Sequence, residues 1–240
     1  MLSAAVKSRN PFPASSAAIA IIVLLGADTK QAFAANCDAT ATAGVDWTDC
    51  RKRNLILQRS DLSNSQLEDT DFSSTDLRNS NLAGANFTKA ALARAMLNSS
   101  TAGNSNFEKA LGYRTSFVGA DLSGANFTKS EMQRADFSDA KLTGADFTKT
   151  ELGRVNFSGA DINNTAFSYS NLARADFRGA KFDTPIDFTN SYLYLTRFEG
   201  VDLSKATGIE QWQMDLTCGD ADTVLPEGLE QPATWPCEEE

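Results

Sequence analysis

Histidine does not occur anywhere in the 240 residues. Its absence removes the commonest general base near neutral pH and the commonest metal ligand, and so weighs against an enzyme. Cysteine is scarce: the four residues Cys37, Cys50, Cys218 and Cys237 include no C-x-x-C pair. A zinc site would therefore lack its usual thiolate spacing, and no metal or cofactor is expected. Long apolar runs are missing too. The run Ala17–Ala27 has eleven residues, against the roughly 20 that a spanning helix needs. Basic residues are missing from Thr207 onward, where nine acids stand with no Lys or Arg. Apolar content, at 42%, is that of an ordinary folded chain, which excludes wholesale disorder.

What is present in quantity is a repeat. Rows of twenty align Ala85-Asn86-Phe87-Thr88-Lys89 with Ser105-Asn106-Phe107-Glu108-Lys109, then with Ala125-Asn126-Phe127-Thr128-Lys129 and Ala145-Asp146-Phe147-Thr148-Lys149. Within each row the period is five, which fits neither a helix nor an alternating strand. The pattern resembles the pentapeptide-repeat family, whose consensus is Ala-Asp/Asn-Leu/Phe followed by two freer positions. The resemblance implies an all-β fold, a right-handed quadrilateral β-helix of about eight coils. The family's roles differ widely, so the fold alone names no activity.

The third position of each block is then inward, with Ala, Ser or Thr two residues before it in a narrow interior. Four blocks make one turn, and four faces follow. Face one stacks Phe87, Phe107, Phe127, Phe147 and Phe167, and face three stacks Phe117, Phe137, Phe157 and Phe177. Faces two and four are aliphatic, with Leu92, Met132, Leu152, Leu172 and Leu122, Leu142, Ile162. Ala102 and Gly112 are weak inward positions and predict a poorly filled coil, or a bulge that displays Tyr113. The segment Asp183-Thr184-Pro185-Ile186 holds one extra residue, and Pro suits a bulge. The outward row Asp121, Lys141, Asp161, Lys181 predicts alternating ion pairs that fix register. Thr88, Thr128, Thr148, Ser168 and Thr189 form a hydroxyl column, read as strand propensity; an ice-binding array is the weaker reading.

Residues 1–34 read as a secretory signal peptide, with Lys7 and Arg9 first and Ala32-Phe33-Ala34 as the cleavage site; an uncleaved membrane anchor is the alternative. A short cap covers 35–54, with Trp47 in the interior register, and the repeats run over 55–206. A helical, disulfide-bonded cap and acidic tail occupy 207–240. Thr207–Leu216 predicts an amphipathic helix with Ile209, Trp212 and Leu216 on one side. Four Cys allow three pairings. The rod that the resemblance implies has its ends roughly 34 Å apart at ~4.8 Å per coil. It thereby implies Cys37–Cys50 and Cys218–Cys237; four free thiols are the alternative. Export to the periplasm or beyond agrees with disulfides.

Residues 35–240 carry 19 basic and 30 acidic residues, net −11, of which −9 belongs to Thr207–Glu240, leaving −2 on 35–206. The alternative, which the resemblance brings in, is a DNA-mimicking, topoisomerase-binding protein of the quinolone-resistance type, although such a mimic needs an acidic rod. Nucleic acid is not expected as a partner. The preferred reading is an exported, non-catalytic scaffold that presents side-chain rows to a protein or an anionic envelope component. The candidate rows are Lys89, Lys109, Lys129, Lys149 on one corner and Arg94, Arg114, Arg134, Arg154, Arg174 on the next. Like charges at ~4.8 Å repel, so something offsets them. Acids such as Glu108, Glu131 and Glu151, or plain duplication, are the bland answers; an anionic partner is the functional one.

Overall fold

The computed structural model describes residues 35–237. The expected leader, 1–34, and Glu238–Glu240 lie outside the described residues. Every five-residue block builds the same corner. In the block centred on Phe127, Asn126 N–H donates to Ser105 O (3.0 Å) in the preceding coil, and Phe127 N–H donates to Asp146 O (2.7 Å) in the following one. Ser130 N–H then donates back to Phe127 O (3.0 Å) across a turn whose third residue, Lys129, has φ +59°. This is a type II turn. Asn126 Oδ1 accepts Thr128 N–H at 2.9 Å, which is why Asn or Asp recurs before the inward residue: its short side chain ties down the turn's free N–H. The same bond holds the N–H of Thr88, Thr148 and Thr189.

Each block is thus one parallel bridge and one corner, and four corners close the square of a right-handed quadrilateral β-helix. Bridges link residues twenty apart from Asp46↔Gln66 to Asp161↔Lys181. The first of them, at Asp46 and Arg51, fall within 35–54, so the hydrogen-bonded coil begins inside that stretch. Past Pro185 the offset becomes twenty-one, at Ala166↔Asp187 and Asn171↔Tyr192. Two short strands mark this place: β1 (Ile186–Asp187) pairs in parallel with β2 (Ala206–Thr207). The inward columns then resume with Phe188, Leu193, Phe198 and Leu203, all buried.

The core is a pair of phenylalanine ladders. On face one, Phe107–Phe127 and Phe127–Phe147 stack with centroids 4.7 Å apart and planes within 5°. On face three, Phe117–Phe137 repeats that geometry. Across the rod the ladders meet edge to face, as in Phe127–Phe137 at 5.5 Å and 89°, so each ring has both of its favoured aromatic contacts. Buried threonines in the small position reach one coil back: Thr150 Oγ1 donates to Phe127 O at 2.7 Å and Thr115 Oγ1 to Leu92 O at 2.7 Å.

Three expectations need correction. The coil at Ala102 and Gly112 is not poorly filled; both are buried, and the Met132 thioether lies where a Cβ on Gly112 would be. Flexible Met fills such irregular gaps. The row Asp121, Lys141, Asp161, Lys181 is in bridge register but forms no ion pairs among the described residues. Asp121 and Asp161 instead accept Ser123 Oγ and Asn163 Nδ2, each at 2.7 Å. The C-terminal helix is one turn, α1 (Gln211–Met214), and its buried side is Gln213 and Met214. Trp212, expected inward, is 51% exposed and donates to Glu210 Oε2 at 2.7 Å. The last coil ends under a polar lid: Gln213 Nε2 donates to Ser191 O (2.8 Å) and to Phe188 O (3.2 Å), which also accepts the Ser191 N–H and hydroxyl. A helix end or coil end must satisfy such groups before it can be buried.

Both ends are pinned. Cys37 is bonded to Cys50 and Cys218 to Cys237, with Cα–Cα separations of 5.3 and 5.4 Å. Trp47 closes the first coil, and over it lies a residue that the repeat pattern did not flag, Lys52. Its Nζ sits 3.8 Å from the Trp47 ring centroid and donates to Cys37 O at 2.5 Å. At the other end Trp235 Nε1 donates to Thr217 O at 2.7 Å beside the second disulfide.

A cationic, tyrosine-bearing face as candidate functional site

Face two is the side that spans Ala90–Arg94 in one coil and Ser170–Arg174 four coils later. The last residue of face one forms the corner before it, and its own last residue forms the corner after it. The row Lys89, Lys109, Lys129, Lys149 therefore runs up one edge of face two, and Arg94, Arg114, Arg134, Arg154, Arg174 up the other. The two rows border the same surface.

All nine cations stand at the third position of a type II turn, with φ between +56° (Lys89) and +61° (Arg174). That conformation disfavours any side chain with a Cβ except Asn and Asp. The corners of faces three and four mostly follow the preference, with Gly119, Gly159 and Gly179 on one and Gly84, Gly124 and Gly144 on the other, although Arg59 (φ +62°) and Ser99 (φ +55°) on face three depart from it. Faces one and two place long cations at the equivalent points. What sets the two rows apart is that the departure recurs as a cation in coil after coil on the same two corners.

The acids that could neutralise the rows do so unevenly. Lys89 pairs with Glu68 (3.0 Å) and Asp69 (3.3 Å), and Glu108 pairs with Lys109 (3.0 Å) and Lys129 (3.7 Å). The hydrogen bond from Lys109, then its charge, holds the Glu108 carboxyl below its ordinary range; bonds from Lys89 to Glu68 and Asp69 raise the Lys89 ammonium. The arginine row is different. Among the described residues Arg94, Arg134 and Arg154 have no ion pair, and Glu151, three residues before Arg154, instead accepts Asn171 Nδ2 at 2.8 Å.

The sequence rows single out Tyr113 alone, yet all four tyrosines of the chain lie on face two or on its lysine edge. Tyr113, Tyr192 and Tyr194 are 41%, 47% and 41% exposed, and Tyr169, which continues the lysine row, is 57% exposed. Arg114 lies 5.3 Å from the Tyr113 ring and Lys149 5.9 Å from the Tyr169 ring, within reach of cation–π attraction. Tyr192 and Tyr194 are parallel within 9°, centroids 6.1 Å apart. The missed signal was available: sorting the rows of twenty by face puts three Tyr on face two and the fourth on the corner before it.

Two hollows flank the arginine row. A shallow groove of about 370 Å³ is lined by Gln133, Arg134, Gly153, Arg154, Ala173 and Arg174. A cavity of about 550 Å³ on the other side meets Arg154, Arg174, Arg197 and the Cys218–Cys237 disulfide. Among the described residues, no cluster of acids and cysteines could hold a metal ion, and no helix is long and apolar enough to cross a membrane.

The family of pentapeptide repeats matches in eight copies, over residues 56–92, 90–128, 120–159 and 130–168. No match is found among curated proteins. Among solved structures, HetL from the cyanobacterium Nostoc sp. strain PCC 7120, a protein involved in heterocyst differentiation regulation, is 23% identical. That match covers 79% of this chain and 84% of HetL with a TM-score of 0.44. QnrB1, a plasmid-mediated fluoroquinolone resistance protein, is 16% identical, covering 77% and 92%, with a TM-score of 0.45. A pentapeptide repeat protein from the Arabidopsis thaliana thylakoid lumen is 27% identical over 52% of this chain and 68% of its own, with a TM-score of 0.19. With its twenty-residue bridges, its phenylalanine ladders and its matched repeats, the chain belongs to the pentapeptide-repeat family.

Proposed function

We propose that this pentapeptide-repeat scaffold is a non-catalytic binding protein that meets an anionic partner through face two. The observation that carries the reading is the coincidence on one face of four exposed tyrosines and two rows of cations seated in a backbone conformation that disfavours them. The rod is rigid because every block is bridged to its neighbours, so the rows are held at fixed spacing before any partner arrives, which lowers the ordering cost of binding. Exposed tyrosine and arginine together are the residue types that contribute most at binding surfaces. A mimic of DNA would need a strongly acidic rod, and residues 35–206 carry only −2.

The two disulfides fit an oxidising compartment outside the cytoplasm, and we place the working protein in the periplasm or secreted. The test is binding of the disulfide-intact chain to anionic polysaccharide and to anionic vesicles as salt rises. Binding should weaken as the Debye length shrinks toward about 8 Å at physiological ionic strength, and changing Arg114, Arg134 and Arg154 together to Gln should abolish most of it. Binding that is indifferent both to salt and to those three changes would defeat the reading.

A further inference from the structure

Column by column, the outward residues of face two after each inward residue are Tyr113, Gln133, Gly153, Ala173 and Tyr194. The side chains shrink to almost nothing at Gly153 and Ala173 and then rise to a full ring at Tyr194. The 370 Å³ groove lies over Gly153 and Ala173, and Tyr194 follows in the same column one coil on. One side wall is Arg134, Arg154 and Arg174, one guanidinium per coil at about 4.8 Å. The opposite side carries Glu131, Glu151 and Asn171, where Asn171 already donates to Glu151.

The geometry points to an acidic polysaccharide as the occupant of this groove: one chain lies along the floor at Gly153 and Ala173, its anionic groups on Arg134 and Arg154, with a terminal sugar ring against the Tyr192–Tyr194 pair. The inference rests on the reading of face two as an anion-binding surface and names its ligand. Three features favour a sugar chain. Sugar hydroxyls both donate and accept, so they suit a wall that mixes carboxylates with carboxamides. An acidic peptide would look for backbone partners or apolar pockets, but the backbone here is already used, as when Arg134 N–H donates to Gly153 O (2.9 Å) and Arg154 N–H to Ala173 O (2.8 Å). Planar tyrosines offer the C–H faces of a sugar an apolar platform, with hydroxyls at the rim for the polar edge.

Gly153 supplies a clean test. Its φ is not in the left-handed region, and a Cβ there would meet nothing closer than Ala173 O at 3.9 Å and Gln133 Cγ at 4.0 Å. Gly153→Gln therefore fills the groove with a neutral side chain and leaves fold and net charge alone. Calorimetric titration with hexagalacturonate is expected to show a loss of about tenfold or more for Gly153→Gln and for Tyr194→Ala, with unchanged thermal unfolding. Hexaglutamate should bind more weakly than the sugar. If both variants bind hexagalacturonate like the wild type while Arg134→Gln with Arg154→Gln does not, the groove is not the site, and the cationic face alone stands. If hexaglutamate binds as tightly and is lost with the same variants, the occupant is a peptide and the sugar assignment is wrong. If neither polymer binds at low salt, the reading of face two fails along with it.

Discussion

The thioether of Met132 occupies the interior space that Gly112, one coil below, leaves empty. Face two would otherwise lose an inward side chain at that level, and the loss is repaired from the neighbouring coil rather than left as a void. The pair is coupled, and the coupling is measurable. Gly112→Leu should destabilise by about 1–3 kcal/mol through overpacking, and Met132→Ala by about 2–5 kcal/mol through the cavity it opens. The double variant should cost clearly less than the two together. Denaturant unfolding of the three variants reads this; strict additivity would mean that the two residues do not share the site.

The corners make a second prediction. Arg134 has φ +58°, where Asn is tolerated far better than a long side chain. Arg134→Asn and Arg154→Asn should each raise stability, by about 0.5–1 kcal/mol, while lowering binding to an anionic polymer. A gain in stability bought at the expense of binding is the pattern expected of a functional position. Arg→Asn variants that are less stable than the wild type would show the cations to be structural.

Acid should weaken the coil. The hydroxyl of Ser123, followed by its N–H, holds the Asp121 carboxyl below 3.8 although burial opposes it; the Ser204 N–H and hydroxyl do the same for Asp202. A carboxyl whose folded pKa is depressed adds stability that is complete above its unfolded value of about 3.8 and is lost as pH falls through the folded value. Unfolding midpoints should thus be flat from pH 7 to pH 5 and fall below about pH 4. Asp121→Asn, which keeps the acceptor oxygen, should lessen that fall.

Lys52 behaves in the opposite direction. Burial pushes its ammonium below 10.5, with the charge of Asp38 opposing. A base with a depressed folded pKa binds fewer protons folded than unfolded, so its contribution to stability rises as pH climbs through the folded value toward about 10.5. Lys52→Met should remove that alkaline rise.

The period of five made the architecture legible: Phe127, Phe137 and their columns are buried where the rows place them, and the slip beside Pro185 is seen as one added residue in the bridges. What the rows hide is anything set by backbone angle or by a neighbouring coil. Lys129 and Gly124 occupy the same corner geometry on different faces, and only the φ values show that the lysine sits where a glycine would be easier. Gly112 reads as a gap because the filling atom belongs to residue 132. Trp212 reads as a lid because hydropathy favours it, yet the coil end needed donors for carbonyls, and Gln213 met that need. Face two as a site is a sum of such effects: Tyr113, Tyr169 and the Tyr192–Tyr194 pair are far apart in sequence and share one side of the rod only when about twenty residues make one turn.

The most direct test compares two charge-matched variants of the intact protein. One changes Arg114, Arg134 and Arg154 to Gln, on the edge of face two. The other changes Arg59, Lys141 and Lys181 to Gln, on faces three and four. Affinity for an anionic polysaccharide is measured for both at low salt. The account predicts that the first variant loses most of its binding and the second keeps nearly all of it. Equal losses would mean that binding follows net charge alone, and face two would then be no site.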